Sequence, residues 1–490
     1  MSATSSRADR APSKGPRTAA PAATPVGSAP LGPVDSMADR RRLGREARRA
    51  LPRSVHGRWQ PASDRPDPIA LLRAGDAGRT PDLVPIRYGR MSASPFACFR
   101  GAAAVMAADL AATPHTPLAT QLCGDAHLSN FGLFASPERT LLFDINDFDE
   151  TLPGPFEWDV KRLAASLVIA ARDAGWGAQD ARDAVLAAVR SYRERMLAYA
   201  EMSELEVWYS RVAAEDLQGE IASLASGKVA RSAERSERAV EARARTRDSL
   251  QAFDQLTRVV DGRREIVDDP PLIVHLPLEQ QELRKGVHQA FVDYRKTLAD
   301  DRRVLLERFT PVDIARQVVG VGSVGVVCLI VLLVGRSGED PLFLQVKQAG
   351  PSVLEPYLGR SRHTNNGHRV VAGQRLMQAA SDILLGWVRG TGAPRRDFYW
   401  RQLRDMKGSF ESARTAAGLA LYGASCGWAL ARAHARAGDP VVLATYLGRS
   451  DRFERALADF AETYADQAER DFEQLTAAIA RGAVPSETGV

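Results

Sequence analysis

Cysteine is scarce in this chain. Its 490 residues include four, Cys98, Cys123, Cys328 and Cys426, far apart and without paired spacing. That pattern excludes a disulfide framework and fits a reducing compartment, so no disulfides are expected. Long apolar runs are missing as well. No stretch reaches the roughly eighteen residues that a membrane span needs, the nearest being Val318 to Val334, which several glycines and a serine interrupt. The N-terminus lacks a continuous apolar segment behind its basic residues, so no secretory signal is visible and the expected location is the cytoplasm.

Excess charge is modest and local. The formal net charge is +5 and the isoelectric point near 9.1, with Arg40 to Arg42 and Arg48-Arg49 supplying much of the surplus. Without interleaved aromatics or a binding module, this basic cluster reads as a solvated extension and argues against a nucleic-acid partner. Hydrophobic content of 45% and charged content of 26% are those of a globular chain long enough for two or more domains. Residues 1–36 are rich in Ala, Pro, Ser, Thr and Gly, and a disordered tail is expected there, because so few apolar side chains cannot offset ordering entropy. A short basic helix should start at Met37 and close before Pro52.

What the chain does have is a concentrated acidic motif. Leu122-Cys123-Gly124-Asp125-Ala126-His127-Leu128-Ser129-Asn130 sets Asp125 and Asn130 in the pattern D-x-x-x-x-N, by which phosphoryl-transfer loops place a base and a magnesium ligand on one turn. A short apolar strand then delivers Asp144, followed by Asn146-Asp147-Phe148-Asp149-Glu150. Mg²⁺ takes oxygen donors and seldom needs more than one or two carboxylates, so Asn130 and Asp144 are the expected ligands, with Asp147 or Asp149 for a second metal. Read alone, the same residues could form a plain turn or a calcium loop. Cys123 and His127 as zinc ligands lack a second Cys/His pair nearby.

Around this motif the pattern is helical. Ser94-Pro95 reads as an N-cap and first helical residue of a helix from about Phe96 to Ala112, from which Arg90 and Arg100 could face phosphates. Asp159, near the start of the next helix, is placed to accept backbone N–H groups of the acidic loop. Residues 178–299 read as long charged helix, with Arg231 to Arg247 as a solvated face and a break at Pro270-Pro271.

Strand character begins near Phe309. Val318 to Leu333 contains G-x-G-x-x-G at Gly320, Gly322 and Gly325, with Ser323 inside it. A dinucleotide fingerprint would open a helix, whereas here the glycines lead into a β-branched run, which predicts a strand. A turn at Arg336 to Pro341 reverses the chain into Leu342 to Lys347, so that a glycine-rich hairpin precedes a strand carrying Lys347, the layout that covers ATP phosphates. Glu355 is the expected carboxylate partner of Lys347. Leu384 to Val388 and Phe398 to Leu403 should complete a small antiparallel sheet, and amphipathic helices return after about residue 406.

Together, Gly124-Asp125 to Asn130, Asp144 at a strand end, and Gly154 to Asp159 resemble the catalytic loop, metal-binding Asp and following helix of the aminoglycoside-phosphotransferase branch of kinase-like proteins. The glycine hairpin and Lys347 resemble the kinase nucleotide lobe. Their order is reversed, as in a circular permutation, which folds tolerate where termini lie close and core contacts survive. The chain from about Arg48 also resembles the bacterial family called domain of unknown function 2252, through Arg87-Tyr88-Gly89-Arg90-Met91, Cys123 to His127, Asn146 to Thr151 and Arg401 to Gly408.

These resemblances imply an α+β, two-lobe, permuted fold: a helical catalytic lobe over 37–305, a nucleotide lobe over 306–405, and C-terminal helices over 406–490. They imply an ATP- and Mg²⁺-dependent phosphotransferase acting on a small-molecule or protein hydroxyl. In it Asp125 is the base, Asn130 and Asp144 are metal ligands, and Lys347 with the Gly320 to Gly325 backbone binds phosphate. Cys123-Gly124 stands where kinases have His-Arg, and Asp144-Ile145-Asn146 where they have Asp-Phe-Gly, so no flipping activation segment is implied. A regulatory nucleotide-binding pseudokinase, AMP transfer, and a metal-dependent hydrolase are the other readings.

Overall fold

The computed structural model describes residues 36–217, 253, 255–261, 263–276, 281–337, 340–390, 395–403 and 415–489. Residues 1–35 of the expected tail, the piece Arg231 to Arg247, and Arg404 to Gly408 of the family strings lie outside the described residues.

Local chemistry starts the helices. In α1 (Met37–Ala50) the Ser36 hydroxyl accepts the Asp39 N–H at 3.2 Å while the Asp39 carboxylate accepts the Ser36 N–H at 3.3 Å, a capping box. Ser94 caps α2 (Pro95–Arg100), accepting the Ala97 N–H at 3.2 Å, with Pro95 at the first helical position. The single helix expected over residues 96–112 is two, α2 and α3 (Ala103–Ala111), parted at Gly101. Glycine weakens a helix by about 1 kcal/mol. A Cβ at Gly101 would lie 2.8 Å from the Met91 sulfur, so a larger residue there has to displace that buried side chain.

Two small antiparallel ladders follow. β1 (Ala119–Leu122) pairs with β4 (Leu152–Pro155), and β2 (Phe131–Ala135) with β3 (Leu141–Ile145). They feed α4 (Glu157–Asp173) and α5 (Ala178–Tyr199). Where continuous helix was expected, Thr257–Val260 and Arg263–Ile266 form a hairpin instead. Thr257, Val259, Val260 and Ile266 are its β-branched strand residues, and Asp261 turns it with φ 48°, followed by a glycine in the sequence.

The main sheet has six antiparallel strands. They are β5 (Ile273–His275), β6 (Thr310–Gln317), β7 (Cys328–Val334), β8 (Pro341–Ala349), β9 (Gly386–Arg389) and β10 (Asp397–Gln402), in the order β9-β10-β8-β7-β6-β5. Successive residues of β7 point to opposite faces. Val331 and Leu333 join Tyr294, Leu344 and Trp400, whereas Ile330 and Leu332 join Phe253, Ile266 and Phe343. Both faces are thus covered, which accounts for an apolar run without polar alternation. Between β8 and β9 runs α6 (Asn366–Met377), capped by Asn365, whose Oδ1 accepts the His368 N–H at 2.9 Å.

The C-terminal helices α7 (Ala416–Ala437), α8 (Pro440–Leu447) and α9 (Arg452–Ala480) return onto α4 and α5. α7 lies so close to α5 that a Cβ on Gly427 would sit 2.0 Å from the Ala188 carbonyl oxygen. Here lies the largest core, with Leu122, Phe131, Phe143, Phe156, Leu430 and Tyr446. The architecture is mixed, helix-dominated, with small antiparallel sheets. Among the described residues no helix is long and apolar enough to cross a membrane. The four cysteines are buried and free.

Candidate functional site

The acidic loop leaves β1 through Gly124, whose φ of 85° belongs to the left-handed region and whose Cβ, if present, would lie 2.3 Å from the Glu150 carbonyl oxygen. Asp159 on α4 holds this turn: its carboxylate accepts the Cys123 N–H at 2.8 Å and the Gly124 N–H at 3.0 Å, as its position in the sequence predicts. His434 of α7 stands 3.3 Å behind the same carboxylate and meets the Tyr192 hydroxyl at 2.9 Å, so three elements converge on the loop.

Asp125 projects from that turn with its side chain 20% exposed. Arg162, one turn beyond Asp159, donates Nε–H to its Oδ1 at 2.8 Å, lies 3.8 Å over the Phe99 ring, and also donates to the Phe99 carbonyl at 2.7 Å. Burial raises the Asp125 carboxyl above its ordinary range, and Arg162 pulls it back. Asn130 donates to the Asp125 carbonyl at 2.8 Å, and its own carbonyl accepts the Asn146 N–H at 2.8 Å. The loop and the second acidic segment are therefore joined backbone to backbone.

Asp144 departs from its expected role. It is fully buried, its two oxygens each 2.7 Å from Nη2 of Arg432, with the Ala379 N–H at 2.9 Å. As placed it anchors β3 to α7, because its position on the paired strand turns its side chain inward. Of the carboxylates of this segment, Asp147 and Asp149 reach toward solvent, with side chains 33% and 25% exposed.

Lys347 meets them from β8. Its Nζ hydrogen-bonds Asp149 and lies 3.8 Å from Asp147, while the Tyr399 hydroxyl, across the ladder from Lys347, donates to Asp149 at 2.9 Å. Burial alone would lower the lysine's pKa, but Asp147 and Asp149 hold it well above the ordinary value. Burial and then Asp149 raise Asp147; at Asp149 burial pulls upward as well, but Lys347, Tyr399 and Arg401 together more than offset it and lower the carboxyl. Glu355 is not the partner: its carboxylate takes the Ser352 N–H at 3.4 Å, at the start of a short helical turn. Glu150 is a further acid of this segment. Burial raises its pKa to about 7, and its carboxylate accepts the Val353 N–H at 2.7 Å.

The glycine loop joins β6 to β7 at the end of the sheet where Lys347 lies, since Lys347 pairs with Cys328. Gly320 and Gly325 take φ of 66° and 86°. The loop rests on the helical body: Arg90 donates to the Gly320 carbonyl at 2.7 Å, Arg79 to the Val324 carbonyl at 2.5 Å, and the Thr80 N–H to the Gly325 carbonyl at 2.7 Å. At Gly322 a Cβ would lie 3.4 Å from the Arg100 carbonyl oxygen. Burial lowers the pKa of the Arg100 guanidinium, and Asp125 counters. Ser323 sits half-buried within the same turn. One junction thus gathers Asp125, Asn130, Asp147, Asp149, Lys347 and the glycine loop.

Among the described residues no group of three or more His, Cys, Asp or Glu is placed to hold a metal ion. Asp147 and Asn130 carry oxygen donors of the type a hard cation takes. Arg162, Tyr399 and Arg432 were not singled out from the sequence. Arg162 follows Asp159 by three positions on one helical face, which is the signal that could have found it.

The family of the chain follows from its length of match. A family described as an uncharacterised protein conserved in bacteria, domain of unknown function 2252, matches residues 79–478. The chain belongs to this family. The matched span of domain of unknown function 2252 includes every residue of the junction, from Arg79 and Asp125 to Lys347 and Arg432. No curated protein and no solved structure matches the chain.

Proposed function

We propose that the protein is an ATP- and Mg²⁺-dependent phosphotransferase of kinase-like, two-lobe, circularly permuted architecture, acting on an acceptor hydroxyl. The observation that carries this reading is the pairing of Lys347 with Asp149, 198 positions apart, at the mouth of the Asp125 to Asn130 loop. A glycine loop, two strands and a lysine on the second of them follow each other as in a kinase nucleotide lobe, and β8, β10 and β9 continue the same antiparallel sheet. The acidic segment supplies the other half of the chemistry, out of the usual order.

In this reading Arg162 fixes one oxygen of Asp125 and leaves Oδ2 to orient or deprotonate the acceptor hydroxyl. Asp147 and Asn130 would hold Mg²⁺, which supplies charge neutralisation on the phosphates. Lys347 turns from Asp149 to phosphate oxygens when nucleotide enters, and the loop backbone from Gly320 to Gly325 covers them. Catalysis is then mainly positioning, since a loose phosphoryl transition state asks little covalent help. The same observation that fixes Asp125 favours a second reading, a nucleotide-binding regulator, because a carboxylate held by Arg162 can be structural instead.

Calorimetry with Mg·ATP tests the binding step: the wild type binds and Lys347→Ala loses at least tenfold in affinity. Mass spectrometry of a cell extract incubated with the protein and ATP labelled at the α- or γ-phosphate then separates AMP transfer, phosphoryl transfer and mere binding. Asp125→Asn should abolish transfer and leave Mg·ATP affinity within about twofold. Absence of ATP binding by the wild type ends the reading.

A further inference from the structure

A concavity opens between β4, α6 and the segment that links β8 to α6. Neither Asp125, Lys347 nor the glycine loop lines it. Its floor is apolar, with Leu152, Pro153, Leu358 and Leu376, and its rim carries the guanidinium groups of Arg360 and Arg362. No Asp or Glu is among its lining residues. His363, also on the rim, has its pKa lowered to about 4 by burial and by the neighbouring His368, Arg362 and Arg369, so it is neutral near pH 7 and adds hydrogen-bonding capacity without charge.

Arg369 forms the inner wall and is 2% exposed. Its two terminal nitrogens are bonded to neutral carbonyls: those of Thr151 at 2.8 Å, Asp149 at 2.7 Å and Gly350 at 2.8 Å. Among the described residues its Nε–H has no partner and no carboxylate is bonded to it directly; the Glu150, Asp149 and Glu355 carboxylates act on it only from farther off. A buried cation with no carboxylate in contact keeps part of its desolvation cost, and an anion that reaches the unpartnered Nε–H lowers it. The rim segment is also held in place. His363 packs on His368 with ring centroids 4.3 Å apart, His368 stacks on Trp387 at 4.6 Å, and Arg389 donates to the Thr364 carbonyl.

We propose that this concavity binds a small organic anion, its phosphate or carboxylate oxygens on Arg360, Arg362 and the Arg369 wall and its compact apolar body on Leu152, Pro153, Leu358 and Leu376. The apolar floor excludes an inorganic ion as the best occupant, because the floor would then remain uncovered. The site is coupled to the junction through one side chain. Arg369 holds the backbone of Asp149, whose carboxylate holds Lys347. An anion drawing on Arg369 therefore acts on the residue that orients the lysine, and the ligand is an effector, not the group transferred.

The test uses the full chain without nucleotide, at constant ionic strength, titrated with phenyl phosphate, benzoate and inorganic phosphate by calorimetry. Phenyl phosphate should bind saturably and at least tenfold more tightly than inorganic phosphate. The position of benzoate between them tells a phosphate site from a carboxylate site. Arg360→Gln/Arg362→Gln, at exposed positions, should weaken phenyl phosphate at least tenfold, and Lys347→Ala, which removes no lining group and acts only through Asp149, should shift it far less. That last variant separates this site from the nucleotide reading: the proposal survives if ATP fails to bind. Wild-type protein that ignores phenyl phosphate, or a double variant that binds it as the wild type does, overturns the proposal.

Discussion

At Asp144 the chain places a carboxylate in the core and covers it with one guanidinium, Arg432, which is itself fully buried and leaves Nε and Nη1 without partners. Such a pair contributes little net stability, yet removing one member strands the other charge, at about 3–5 kcal/mol. Asp144→Asn should therefore lower the unfolding free energy by an amount of that order, and Asp144→Asn/Arg432→Met should recover part of the loss. Denaturation curves of the three variants decide this, and equal losses in the single and double variants would count against it. Glu150 offers a pH-dependent case. Its pKa of about 7 lies above the ordinary 4.5, so the unfolded chain surrenders the proton first. The stability it contributes is complete below about pH 4.5 and is lost as pH rises to 7, by at most about 3 kcal/mol. Glu150→Gln should flatten the fall of unfolding free energy between pH 5 and 8 relative to the wild type, as denaturant titrations at stepped pH will read. The sequence marked this segment as acidic but could not rank its members. Whether a carboxylate faces Arg432, Lys347 or solvent depends on partners far along the chain.

Among the elements, those with a local cause were legible. The capping box at Ser36, Ser94-Pro95 before α2, and the glycine loop that leads into β7 each follow from neighbouring residues. The hairpin over residues 257–266 was read as helix because charged residues surround it, and its β-branched strands pair only with each other and against β6. The loop after β1 is the element on which most depends. Gly124 has φ 85° and stands where a Cβ would meet the Glu150 carbonyl at 2.3 Å. Gly124→Ala should cost at least about 1–2 kcal/mol for the left-handed conformation alone, with a larger total from the clash. The Cys123 and Gly124 amides would then leave Asp159, and amide exchange at those two positions should quicken. An unchanged exchange rate would mean that the turn is not held by Asp159.

Over the whole molecule, the sheet and the helical body meet at residues 145–151, and three cations cross from one to the other. Lys347 of β8 holds Asp149, Arg369 of α6 holds the Asp149 and Thr151 carbonyls, and Arg401 of β10 donates to the Asn146 carbonyl at 3.2 Å. All three act on one short acidic segment, so the order of the two parts along the chain does not matter to the junction, only the contact does. This is also why the sequence could suggest the pairing of a lysine with the acidic motif but not its partner. Glu355, nearer in sequence, lies beside Lys347 along the chain, whereas Asp149 reaches it through the fold. Asp149→Asn removes the carboxylate shared by Lys347 and Tyr399 and leaves a buried ammonium facing Asp147 alone. If the segment ties the two parts together, hydrogen exchange in this variant should rise both in residues 145–151 and in β8 around Lys347, by similar factors. Binding of Mg·ATP to the wild type should slow exchange in the same two places. A rise confined to β8 would show that the sheet is anchored elsewhere, and that Lys347 and the acidic segment are neighbours without being coupled.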